Sequence, residues 1–206
     1  MSGLALIPVA QIEALHDDVI VQGGRNKRAM FDSAPWLADL DQEVFSAAQQ
    51  PGSQRAKYNR LKKLADRVSA AAAPHVACRK GCSECCNIAV VITSFEAELI
   101  GEVIRKKPLK VGVRHDDLSL REKYFGQPCT FLRNGMCSIY ADRPLACRTH
   151  FNLSDTSLFC STEIPPEDSR VPNLDFRAFW HRMGLRSTMP RGPTSVSFFQ
   201  EKGEAA

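Results

Sequence analysis

At 206 residues, with 44% hydrophobic and 24% charged side chains, the chain has the composition of a soluble globular protein long enough for one sizeable domain or a compact domain with appendages. No stretch approaches the roughly 18 consecutive apolar residues of a membrane helix, and "MSGLALIPVAQIEALHDD" has no basic leader ahead of a long apolar run, so the expectation is a cytoplasmic protein with no membrane contact. The net charge of +4 is unevenly held: residues 53–80 carry Arg55, Lys57, Arg60, Lys62, Lys63, Arg67, Arg79 and Lys80 against the single acid Asp66.

The expected fold class is mainly α with a small β-hairpin, an irregular metal-organised cysteine module set on a helical scaffold. Three parts follow in order: an N-terminal helical region over 1–75, a cysteine-cluster metal-binding domain over 76–160, and a C-terminal helix and tail over 161–206. In the first, "VAQIEALHDDVI" has helical periodicity and "VQGGR" reads as a turn. "SAPWLADLDQEVFSAAQQ" predicts a second helix with Asp32 or Ser33 as cap, ended by "QQPGS". A third helix starts at Ser53; Tyr58, Leu61, Ala65, Val68 and Ala72 share one face, basic residues take much of the other, and Pro74 stops it.

In the second part, "IAVVI" reads as a short β-rich run. "TSFEAELIGEVIRKK" predicts a helix in which Thr93 and Glu96 have capping-box spacing and Leu99, Ile100, Val103 and Ile104 form the apolar stripe. "CTFLRNGMCSIY" places Asn134-Gly135 between two short apolar runs, a strong hairpin signal that brings Cys129 and Cys137 towards one end. The third part has a Pro-rich connector "EIPPEDSRVP", a predicted helix "LDFRAFWHRMG", and a tail whose "SVSFF" is a candidate strand.

The chemistry lies in eight cysteines: Cys78, Cys82, Cys85 and Cys86 in "CRKGCSECC", then Cys129, Cys137, Cys147 and Cys160. In a reducing compartment, clustered thiols point to metal binding or redox chemistry rather than structural disulfides. Thiolates suit zinc, copper(I) or iron–sulfur iron, and calcium and magnesium prefer oxygen. Neighbouring side chains diverge, so Cys85 and Cys86 point to ligands for different metal atoms, or to one ligand and one redox or supporting thiol. The CxxxCxxC spacing resembles the cluster motif of radical enzymes that use S-adenosylmethionine, but Glu84 stands where those enzymes carry an aromatic and the chain is short for their barrel.

"CRKGCSECC" followed by "PCTFLRNGMCSIYADRPLACR" resembles the YkgJ-like cysteine-cluster family over about residues 76–150, with Ile139, Tyr140, Arg143, Pro144 and Arg148 also matching. The resemblance implies a zinc- or iron-chelating domain, often iron–sulfur-containing, without naming a reaction. Around this segment, Asp142 is a candidate cap for a helix starting near Pro144. Arg143 and Arg148 either donate to cluster sulfurs or pair with nearby acids. Tyr140 is expected in the core, and His75 and His150 at the surface or beside the ligands.

The leading functional reading is an iron–sulfur cluster for electron transfer or redox sensing, held by Cys78, Cys82, Cys85 and one distal cysteine, with a redox or protein partner. The alternative is a zinc-stabilised module with two tetrahedral sites, whose basic helix contacts a protein or nucleic-acid partner. A thiol-dependent enzyme is a third class, supported by family analogy alone.

Overall fold

The computed structural model describes residues 9–79, 81–90, 92–109, 124–165, 168–174 and 176. The fold is mostly helical with one two-stranded antiparallel hairpin. The first helix, α1 (Val9–Ser33), runs straight through the Gly-Gly pair expected to break it. The reason is tertiary: a Cβ on Gly23 would sit 2.5 Å from Pro172 Cβ, so the bare helix surface there is the seat of a segment far along the chain. Pro172 is held in place by its carbonyl, which accepts from Leu153 N at 2.8 Å.

The second predicted helix divides in two. Pro35 opens a 3-10 turn (Pro35–Asp39), and α2 (Leu40–Gln49) follows. Neither Asp32 nor Ser33 caps it, because both still belong to α1 and the exit is handled by Ala34 N donating to Met30 O at 3.0 Å. The third helix, α3 (Gln54–Ala72), starts where expected, with Ser53 Oγ accepting from Ala56 N at 3.2 Å. It buries Leu61, Leu64, Ala65, Val68 and Ala72, with Tyr58 partly covered, and passes into a 3-10 turn at Pro74.

The core around α3 takes in Met30, Leu37 and Val44 from upstream and Leu145, Phe151, Leu153 and Phe176 from downstream. The cysteine loops are thus clamped between helices that precede them and chain that follows them. A second cluster joins Ile92, Ala97, Ile100, Phe131 and Ile139, with Cys129 and Cys137 at its edge. Val19, Phe159 and Ile164 make a third beneath α1.

α4 (Ser94–Ile104) has the capping box that Thr93 and Glu96 predict. Its covered face is Ala97, Ile100, Gly101 and, in part, Ile104; Val103 is 51% exposed, so the stripe is rotated from the expected one. Residues 88–90 and 92 form no strand; Ile92 is simply buried ahead of the cap. Strands β1 (Leu132–Arg133) and β2 (Met136–Cys137) pair Leu132 with Cys137 and Arg133 with Met136. Asn134 and Gly135, with φ of 49° and 72°, make the tight turn between them. Of the predicted C-terminal helix, Leu174 and Phe176 are not helical; its remainder and "SVSFF" lie outside the described residues.

A one-turn helix, α5 (Leu145–Arg148), carries Cys147. Asp142 does not cap it, being engaged by Lys62 Nζ at 3.1 Å. Its first N–H, on Leu145, donates instead to Glu96 Oε1 at 3.0 Å. Glu96 is 3% exposed, and its other oxygen accepts from Thr93 N at 3.0 Å and Thr93 Oγ1 at 3.1 Å. Tyr58 of α3 places its hydroxyl 3.4 Å from Oε1. One buried carboxylate therefore ties α3, α4 and α5 together.

Three substitutions test these joints. Gly23→Ala is expected to lower the urea midpoint, since overpacking against Pro172 costs about 1–3 kcal/mol. Gly24→Ala, whose Cβ meets nothing closer than Arg28 Nη1 at 4.0 Å, should raise it through a helix-propensity gain of about 1 kcal/mol. Glu96→Gln would be near neutral in a plain capping box. Here both oxygens accept backbone N–H groups, so either amide orientation opposes one N–H with another, and a loss of about 1–3 kcal/mol is expected in the same measurement.

Candidate metal centre

All eight cysteines are free thiols of intermediate exposure. Cys78 follows Ala77, whose N–H is fixed to Asn152 O at 2.9 Å. A tight turn, closed by Cys82 N donating to Arg79 O at 2.9 Å, carries the chain to Cys82. Cys85 and Cys86 sit in a 3-10 turn (Glu84–Asn87). Successive side chains on such a turn are about 120° apart, so two adjacent thiols can touch and still face different neighbours.

The thiols gather into two groups. Cys78, Cys82 and Cys160 lie close enough for their charges to interact. Cys86, Cys129, Cys137 and Cys147 form the other group, stitched by Cys129 N donating to Cys86 O at 2.6 Å. Cys85 is hydrogen-bonded to Cys86 and interacts with the charges of both Cys147 and Cys78, so it has a neighbour in each group. The two thiols of the doublet therefore have different surroundings. Cys160, distant in sequence, belongs with the first group.

The acidities follow from these contacts. The Cys85 thiol donates to Cys86, which brings Cys86 down to about 7 and drives Cys85 well above the usual thiol range, burial adding to the rise. Burial pushes up Cys78, Cys137 and Cys147, and lifts Cys160 to about 11 against the pull of its Asn152 hydrogen bond.

The two arginines separate. Arg148 is buried and spends its guanidinium on the Asp66 carboxylate and the carbonyls of Ala141 and Arg143, so it is an ion-pairing residue of the scaffold. Arg143 faces the thiols, its charge favouring thiolate at Cys78, Cys137 and Cys147. It lies over the Tyr140 ring at 4.1 Å and donates to Ser69 Oγ at 3.3 Å, while its Nε is buried with no partner. Tyr140 is 46% exposed rather than part of the core. His75 is bound to Ser33 Oγ at 3.0 Å, at the end of α1.

Among the described residues, no three Cys, His, Asp or Glu side chains converge as a ready-made ion site. The donor chemistry nonetheless fits a thiolate-bound metal: eight unoxidised thiols in two groups, and a buried Arg143 N–H beside them lacking an acceptor. Sequence reasoning missed Asn152, fully buried, which donates to both Cys78 and Cys160. Its only signal is an Asn-x-Ser step lying between Cys147 and Cys160.

The basic residues of α3 are largely occupied within the fold. Arg55 pairs with Glu102, Lys62 with Asp142, and Arg67 with Glu43 while lying over Trp36. Arg60 donates to the carbonyls of Ala47 and Gln50. No helix among the described residues is long and apolar enough to cross a membrane.

Residues 77–164 match the model of the CxxCxxCC family, described as a "putative zinc- or iron-chelating domain". The match reaches past residue 150 and includes Cys160. No curated protein and no solved structure matches the chain. Every cysteine of the chain lies inside the matched segment, so over residues 77–164 the chain is similar to the zinc- or iron-chelating cysteine-cluster domains of the CxxCxxCC type.

Proposed function

We propose that the domain holds an iron–sulfur cluster for electron transfer or redox sensing on Cys78, Cys82, Cys85 and Cys160, and a second metal on Cys86, Cys129, Cys137 and Cys147. The observation that carries this reading is the grouping of thiols around the divided Cys85–Cys86 doublet. Three thiols on one short loop plus one distal thiol supply the donors a four-iron cluster needs. A bound cluster supplies one-electron redox chemistry. The chain supplies N–H donors from Asn152 and the Arg143 charge, both of which stabilise anionic sulfur.

A zinc-stabilised module is the second reading. It is favoured by how little regular structure the cysteine loops have: two-residue strands, short 3-10 turns and one helical turn. Metal ions cross-linking such loops contribute folding free energy directly. Protein purified without oxygen is expected to be brown, with iron and sulfide in equal amounts. Colourless protein holding about two zinc and no sulfide overturns the iron–sulfur reading in favour of zinc. Cys82→Ser should remove the cluster and spare the second metal, and Cys137→Ser the reverse, read by metal analysis of each variant.

Metal uptake should also depend on pH. Burial keeps Cys78, Cys137, Cys147 and Cys160 protonated at neutral pH, and ligation requires thiolate. Titrating zinc into metal-free protein in weak buffer at pH 7 is therefore expected to release about one proton per buried thiol engaged, and affinity should fall as pH falls. A pH indicator dye follows both. Proton-neutral uptake would show that the thiols are not the ligands.

A further inference from the structure

Asn152 touches sulfur from both halves of the cysteine pattern. It is fully buried. Its backbone N–H donates to Cys78 Sγ at 3.3 Å, and its Nδ2 donates to Cys160 Sγ at 3.2 Å and to Thr156 O at 2.8 Å. Ser154 N donates to Oδ1 at 2.9 Å, which fixes the amide with its nitrogen towards Cys160. The Asn152 carbonyl accepts from Ala77 N, the neighbour of Cys78. Both amide hydrogens, the amide oxygen and both backbone groups are thus committed, two of the donors to sulfur.

We infer that Asn152 is a positioning residue of the Cys78, Cys82 and Cys160 group, holding its two most widely separated thiols within reach of each other in the metal-free protein. The inference rests on the metal-thiolate role proposed for that group. Physically, a single rigid residue replaces the entropy cost of closing the long loop between Cys78 and Cys160 at the moment of metal binding. N–H donors also draw charge from ligating sulfur, so the same residue tunes the donors it places. Asparagine suits the position for its two-hydrogen amide; aspartate, of the same size, would set an anionic oxygen against sulfur.

The test uses the full chain with Asn152→Asp and Asn152→Ala. In the metal-free arm the probe is phenylarsine oxide: its oxygen exchanges for two sulfurs, and the two thiol protons leave with it as water. Peptide mapping should find Cys160 bridged to Cys78 or Cys82 in the wild type. In both variants, capture of Cys160 should fall about tenfold, the scale of losing a partner that orients a ligand, while capture within Cys86, Cys129, Cys137 and Cys147 stays unchanged. In the metal-loaded arm, Asn152→Ala removes the side-chain donor but keeps the backbone N–H on Cys78. Cys160 should then be alkylated by iodoacetamide about tenfold faster, with the other group as protected as in the wild type.

Equal capture of Cys160 in all three proteins overturns the inference. So does uniform loss of capture or protection across all eight cysteines, the mark of a merely structural residue. Wild-type protein that takes up no metal would sink the metal-thiolate reading alone, because the arsenical arm still decides on Asn152.

Discussion

A buried carboxylate is the joint on which the arrangement depends. Glu96 accepts from the N-terminus of α4 through one oxygen and from the N-terminus of α5 through the other, with Tyr58 of α3 alongside. α5 is a single turn, too short to stand by its own backbone hydrogen bonds. It exists where it does because Glu96 receives its leading N–H, Leu145 is buried, and Arg148 reaches back to Asp66 on α3. Cys147 rides on that turn. That distal thiol is therefore placed by the helical scaffold as much as by the cysteine loops.

Burial in this joint has an electrostatic consequence. Desolvation raises the Glu96 pKa, and the four backbone and hydroxyl donors around it pull the other way. The same contest recurs at the thiols, where burial favours the protonated form and Arg143 and Asn152 favour charge. A thiolate-bound metal would resolve it at the sulfurs, because ligation needs the deprotonated thiol, and Arg143 and Asn152 would then face anionic partners. The unpartnered Nε of Arg143 belongs to this logic.

The local signals in the sequence were legible where the structure is local. Ser53, the Thr93–Glu96 box and Asn134-Gly135 each carry their own geometry within four residues, and each appears where its chemistry says. Gly23-Gly24 misleads because its reason is Pro172, a contact no window of sequence contains. Asp142 misleads because Lys62 claims it and a glutamate some fifty residues upstream takes its place. Leu99 and Val103 belong to the apolar pattern but not to the buried face, since the hairpin packs on the Ala97–Ile100 side. The cysteine inventory was plain; its division into groups, the place of Cys160 and the role of Asn152 arise only from long-range packing.

The split cysteine pattern also bears on how the protein is made. Cys78 leaves the ribosome 82 residues before Cys160. At about 5–20 residues per second the early thiols wait roughly 4–16 seconds for their distal partners, and longer for Pro172 to reach its seat on α1. During synthesis "CRKGCSECC" would thus stand as an open, thiol-rich segment, accessible to soft metal ions until the distal half of the pattern arrives.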